Sequence, residues 1–181
     1  MELIAELNRN CYSANKIIKG VLSRKQVERI GRNPNYYLKN TLLISILNPI
    51  EDGPNNIKPL PKHILHRFCS YLTVRFFDVE QPVDAKIMPI TDDIAEKIAK
   101  FILKYKDDLG KKYDLIVHCE AGISRSAAVA MATECIVLYD CDMDTYLESK
   151  PPLLTSGKYY PNMFVFKKIV EIANSLRMGG K

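Results

Sequence analysis

Ile116-Val-His-Cys-Glu-Ala-Gly-Ile-Ser-Arg-Ser-Ala-Ala-Val129 opens on apolar, β-branched residues and closes on alanines. The first part belongs to a buried strand over 113–118, and the alanine-rich continuation to a helix over 126–139. Cys119 falls at the end of the strand, and Arg125 at the opening of the helix. Between them Gly122 permits a tight loop that a bulky residue cannot easily make. Such a loop can turn successive backbone N–H groups inward as an anion nest. The helix N-terminus adds free N–H groups and the positive end of its dipole. One phosphate fits there, held by the backbone of Glu120, Ala121, Gly122, Ile123 and Ser124 and by the two-pronged guanidinium of Arg125. The same positive field favours a thiolate at Cys119, the nucleophilic form of a cysteine. Ser126 can donate its hydroxyl proton to that sulfur when it leaves, and His118 can hold the loop through its ring nitrogens. A lone cysteine on a strand is usually a small buried hydrophobe, and a glycine loop is often a mere connection. The joint pattern of Cys, Gly, Arg and Ser at this spacing is what points to chemistry.

Outward from this stretch, strands and helices alternate. Residues 16–22 read as a strand, and Ser23 with Gln26 as a capping box opening a short helix that Gly31 and Asn33-Pro34 stop. Residues 41–47 form an uninterrupted apolar run, a buried strand. Residues 49–62 are rich in Pro, Asn and Gly and read as loop. Residues 72–77 alternate as a strand ending at Asp78, and a second loop covers 81–89. Thr91 is placed to cap a helix with Asp92 and Asp93 in its first turn, apolar on the face of Ile94, Ile98, Phe101 and Ile102, and ended by Gly110. A short helix is expected over 144–148. Pro161 opens a last helix that closes at Gly179. This order predicts an α/β fold, a central and mainly parallel sheet flanked by helices, with the phosphate loop between a central strand and a helix N-terminus. A single domain is expected over 1–181, its core at about 16–178.

The 181 residues carry 26 Lys and Arg against 21 Asp and Glu, a formal charge of +5. That excess helps attract phosphorylated ligands. It is too diffuse to point to nucleic acid, since no run of five basic residues occurs. No apolar stretch of spanning length is present, so no membrane span is expected. The N-terminus lacks the basic start and apolar core of a secretion signal. The five cysteines, at 11, 69, 119, 135 and 141, are odd in number and irregularly spaced. Reduced thiols and a cytoplasmic location are the expectation.

The segment His118-Cys-Glu-Ala-Gly-Ile-Ser-Arg-Ser126 resembles the His-Cys-x5-Arg-Ser/Thr signature of the protein tyrosine phosphatase superfamily. Its Ala-Gly-Ile-Ser-Arg-Ser wording is similar to the dual-specificity branch. Pro161-Asn-Met-Phe164 resembles the Pro-Asn-x-x-Phe at the start of that branch's late helix. The resemblance implies a two-step reaction through a phosphocysteine, with no metal or cofactor, on phosphotyrosine and phosphoserine or phosphothreonine of protein substrates. Lipid phosphatases of the superfamily tend to carry lysines inside the loop, and RNA 5′-triphosphatases Asn and Thr where this chain has Ser124 and Ser126. A phosphoinositide or RNA 5′-phosphatase stays open as an alternative, as does a catalytically dead phosphate-binding module. The Lys-Asn-Arg-Tyr loop that walls tyrosine-only enzymes is missing, which implies a shallow site.

One carboxylate near the loop can serve first as acid and then as base. The candidates are Asp78, Asp84, Asp92 and Asp93. Asp92 and Asp93 are explained as first-turn helix acids. Asp78 ends a strand, which places it at the same sheet edge as Cys119, and it is preferred. Asp84 is the alternative. His63-x-x-His66-x-x-Cys69 is not a standard zinc spacing. Cys135 is expected in the core. Tyr36, Tyr37, Tyr159 and Tyr160 are candidates to line a substrate groove, although such residues more often pack half-buried.

Overall fold

The computed structural model describes residues 17–49, 58–83 and 87–179. Strands β1 (Ile18–Ser23), β2 (Thr41–Leu47), β3 (Ser70–Arg75) and β4 (Asp114–Cys119) form one sheet in the order β1-β4-β2-β3, every pair parallel. The helices are α1 (Arg24–Arg32), α2 (Lys62–Leu65), α3 (Asp92–Tyr105), α4 (Arg125–Leu138), α5 (Met143–Glu148), α6 (Pro152–Thr155) and α7 (Met163–Met178).

The period of two along each strand assigns the two faces. Leu42, Ile44 and Ile46 of β2 and Leu115, Val117 and Cys119 of β4 pack in one cluster with the buried residues of α3, α4 and α7. Leu43 and Ile116 point the other way, onto Val27 and Ile30 of α1 and Ile64 and Leu65 of α2. Strands covered on both faces read as continuous apolar runs, which is why 41–47 carries no alternation. Helix α4 is buried along nearly its whole length, from Arg125 to Ile136. Parallel register brings the carboxyl ends of β1 and β4 level, with Ser23 opposite Cys119.

Local chemistry set several boundaries differently from expectation. β3 starts and stops two residues early, because β2 ends at Leu47 before Asn48-Pro49 and leaves no ladder partner beyond Arg75. Only Phe76 N–H still reaches back, to the Leu47 carbonyl at 3.1 Å. The last helix starts at Met163, capped by the Asn162 side chain, so Pro161 lies outside it. Thr91 occupies the N-cap of α3 without a side-chain bond to it. The capping box of α1 forms in full, with Ser23 N–H donating to Gln26 Oε1 at 2.7 Å and Gln26 N–H to Ser23 Oγ at 3.4 Å. The one-turn helices α2 and α6, each following a proline, are too short for an apolar period to show in sequence. Lys16 of the first expected strand lies outside the described residues. Among the described residues no helix is long and apolar enough to cross a membrane.

Gly31 lets α1 approach α2 closely. A Cβ there would run into Ile64 Cγ2, well inside van der Waals contact, and Ile64 is fully buried and stiff at χ1. Gly31→Ala is expected to lower unfolding free energy by about 1–3 kcal/mol, read from the urea midpoint. Any activity of the folded variant should be unchanged, since Gly31 lies at the end of α1 remote from Cys119.

Candidate active site

Cys119 is the last residue of β4 and is buried. Beyond it the chain curls under the start of α4. Gly122 takes φ +75°, and a Cβ there would lie 2.5 Å from the Leu22 carbonyl carbon and 2.8 Å from its oxygen. The loop is therefore seated directly on the β1–α1 junction, where Arg24 N–H also donates to the Glu120 carbonyl at 3.3 Å. Two groups are aimed at the sulfur. Gly122 N–H donates to Cys119 Sγ at 3.2 Å, and Ser126 Oγ lies 3.2 Å from it. Among the described residues no backbone carbonyl accepts from the N–H groups of Ala121, Ile123 or Ser124. Ser124 holds the N-cap position of α4, but no side chain caps this helix, because the Ser124 hydroxyl turns to Asp78 instead. The loop and the helix N-terminus thus keep donors for an anion.

Arg125 is 5% exposed. Its Nη1 donates to the Phe76 carbonyl at 2.7 Å, and the guanidinium lies 6.0 Å from the Phe76 ring centre. Its Nε is buried and makes no hydrogen bond, 4.0 Å from Asp78 Oδ2. The anchor at Nη1 orients the fork, and Nε is an unspent buried donor, a costly state that an anionic ligand relieves.

Asp78 follows β3 at the same edge. Its Oδ1 accepts from Ser124 Oγ at 2.8 Å and from Asn162 Nδ2 at 3.0 Å. The same Asn162 caps α7 by accepting from Val165 N–H at 3.1 Å. Asp78, Cys119, Arg125 and Ser126 are therefore brought together. Asp84 lies outside the described residues. Asp92 is exposed and pairs with Lys168 of α7, and Asp93 is an exposed first-turn residue.

His118 is fully buried, pointing to the α1 face of the sheet. Its Nε2 lies 2.8 Å from Ser45 Oγ and its Nδ1 3.4 Å from the Cys119 carbonyl. A carbonyl only accepts, so Nδ1 carries the proton and Nε2 accepts from the Ser45 hydroxyl. Burial lowers its pKa to about 4, which keeps the ring neutral. His118 accordingly braces the strand end below the loop.

Two residues escaped the sequence reading. Ser45 was hidden in an apolar strand with no signal beyond its polarity. Asn162 entered the sequence reading only as part of the Pro161-Asn-Met-Phe164 resemblance, and both its cap of α7 and its reach to Asp78 come from the structure. The tyrosines divide. Tyr36 and Tyr37 line a cavity of about 450 Å³ with His66 and Arg67, ahead of β2 and β3 and so at the sheet edge opposite Cys119. Tyr159 is buried. Tyr160 is exposed and tied to the loop, its N–H donating to the Ile123 carbonyl at 3.2 Å. Cys135 is core, its thiol pushed up to about 12 mainly by burial. Among the described residues no group of three or more His, Cys, Asp or Glu is placed to hold a metal ion, the His63–His66–Cys69 set included.

Solved structures share this architecture. A single-substitution variant of human DUSP28 superposes with TM-score 0.51 at 13% identity, over 87% of this chain and 90% of that one. The human tyrosine phosphatase-like serine/threonine/tyrosine-interacting protein gives 0.51 at 18%, over 86% and 87%. PTPMT1 gives 0.51 at 18%, over 88% and 91%. The fold is that of the dual-specificity phosphatases. Neither a protein-family model nor a curated protein sequence matches the chain.

His118 also sets a pH dependence of stability. Its folded pKa is lowered from 6.5 to about 4, so the unfolded chain binds the proton more readily. The stabilisation is complete above pH 6.5 and is lost as pH falls toward 4, by about 3 kcal/mol in all. Urea unfolding across pH 7 to 4 should show this slope, and His118→Asn should flatten it.

Proposed function

We propose that the chain is a cysteine-dependent phosphatase of phosphorylated protein side chains, acting on phosphotyrosine and also on phosphoserine and phosphothreonine. The observation that supports this most is the meeting, at one sheet edge, of the Cys119 sulfur, a helix N-terminus that no side chain caps, and the unpartnered Nε of Arg125 beside Asp78. In this reading the backbone N–H groups of residues 120–124 and the free edge of Arg125 hold the phosphoryl oxygens, and the charge that develops on them is met by fixed donors. The Cys119 thiolate attacks phosphorus, and the S–P bond forms as the ester P–O bond breaks. Asp78 gives its proton to the departing oxygen. The resulting carboxylate then takes a proton from water as that water attacks phosphorus and the S–P bond breaks. Ser126 Oγ, already 3.2 Å from Sγ, donates to the returning thiolate. Orthophosphate leaves and the protein is restored.

The second reading, a module that captures phosphoproteins without turnover, is favoured by one observation: a protein of the same fold is named phosphatase-like and interacting. Phosphate release by the purified protein separates the two.

Cys119→Ser should abolish phosphate release while keeping phosphate binding, because a serine hydroxyl does not ionise in such a loop. Asp78→Asn should lower kcat about 10²- to 10⁴-fold and remove the basic limb of a bell-shaped pH–rate profile. If Asp84→Asn does this instead, Asp84 is the acid. Comparing kcat/KM on peptides that differ only in the phosphorylated residue should show phosphotyrosine faster, its phenolate being the better leaving group, with phosphothreonine turnover measurable. Phosphotyrosine turnover alone would mean a deep pocket and a tyrosine-only enzyme.

A further inference from the structure

The positive charge of the chain is gathered on one face. Residues 24–39 and 58–67 hold eight Lys and Arg against one acid, Glu28, a formal +7 where the whole chain carries +5. The two segments are separate in sequence and joined in the fold. Helix α1 approaches α2 at Gly31 and Ile64, and Arg24 Nη1 donates to the Lys58 carbonyl at 2.7 Å. On α1 the exposed residues Lys25, Arg29 and Arg32 fall at i, i+4 and i+7, one stripe opposite the buried face of Val27, Ile30 and Gly31. Glu28 is spent on Arg24 at 2.9 Å and on Arg32 at 3.4 Å. Among the described residues Lys25, Arg29, Lys39 and Lys62 meet no carboxylate at ion-pair distance.

Surface charge alone is usually a solvated face. This stripe differs in where it starts and ends. Helix α1 begins beside the phosphate loop, where Arg24 N–H meets the Glu120 carbonyl. It ends at two adjoining clefts of about 450 and 410 Å³ that share Pro34 and Arg67. Arg32, Lys39, His63, His66 and Arg67 line them, and no Asp or Glu does. The Arg67 guanidinium is fixed there by donating to the carbonyls of Ile30, Gly31, Asn33 and Tyr36.

We propose that Lys25, Arg29, Arg32 and the clefts beyond them dock an acidic segment of the protein whose phosphorylated residue lies in the loop; this rests on the phosphatase reading above. Nine helical residues at 1.5 Å each carry the stripe about 13 Å from the loop. An extended peptide covers that distance in about four residues. A substrate with Asp or Glu from about the fourth residue onward therefore lays carboxylates along α1 and into the clefts. A flat lipid surface meets the stripe but cannot enter the clefts, whereas a single peptide chain can. Three or four exposed ion pairs together correspond to about tenfold in affinity.

The test compares phosphotyrosine peptides that carry four Glu, or four Gln, from the fourth residue onward, on either side of the phosphorylated one. On one side the Glu peptide should show a KM about tenfold lower at equal kcat. The gain should vanish in 1 M salt, where charges are screened beyond about 3 Å. Lys25→Glu with Arg29→Glu should remove the gain and leave the Gln peptide as it was. Lys97→Glu with Lys111→Glu, the same change of net charge at exposed residues elsewhere, should keep it. Equal KM for Glu and Gln peptides on both sides overturns the proposal, as does equal loss in the two double variants. If both peptides behave alike while Lys25→Glu with Arg29→Glu weakens binding of a single-stranded oligonucleotide or of phosphatidylserine vesicles, the face serves nucleic acid or a membrane, which also overturns it. The same peptides titrated against Cys119→Ser protein read binding without turnover. If the wild-type protein releases no phosphate but the Glu phosphopeptide still binds about tenfold tighter, the phosphatase reading fails and the docking face stands.

Discussion

The seating of Gly122 against the Leu22–Ser23 peptide is the contact on which the site depends. At φ +75° and with carbonyl atoms closer than any Cβ tolerates, that position admits only glycine without moving backbone. From this seat the chain has just enough length to leave β4 at Cys119 and enter α4 at Arg125. The sulfur, the loop N–H groups and the helix N-terminus then face one point. Within the loop only the Gly122 N–H is seen to bond, to the Cys119 sulfur, and no backbone carbonyl among the described residues takes the N–H groups of Ala121, Ile123 or Ser124. The loop is held from outside, by β1 and the start of α1.

The same economy governs the carboxylate at this edge. Asp78 is gripped on one oxygen by Ser124 from the loop and by Asn162 from the cap of α7, and its other oxygen faces Arg125. Ser124 gives up capping α4 to do this, which leaves that helix end open. Arg125 is anchored to the Phe76 carbonyl two residues before Asp78, so guanidinium and carboxylate are positioned by one short segment. A displacement of that segment moves both. On the opposite sheet face His118 and Ser45 satisfy each other, and the polar pair under the loop costs no unpaired group.

Much of this was legible in the chain. The apolar run at 41–47, the capping box at Ser23 and Gln26, and the alternation of strands and helices gave the parallel sheet, since period and caps are local properties. The Cys119–Arg125 spacing marked the anion loop because strand, glycine turn and helix start are themselves local. What was misplaced, the ends of β3 and the start of α7, depended on partners. A strand stops when its neighbour does, and Asn162 rather than Pro161 opens the helix because its side chain reaches Val165.

By itself, then, the sequence determined the elements and the loop from Cys119 to Arg125, because residues close in the chain must be close in space. Only the tertiary structure decided that Asn162 and Ser45 serve the site from 84 and 73 residues away from their partners Asp78 and His118, and that Tyr160 stands at the loop while Tyr36 and Tyr37 lie at the far end of the sheet. Those juxtapositions arise from how parallel strands register and which ends of them coincide, a consequence of burying both sheet faces that no local run of residues encodes.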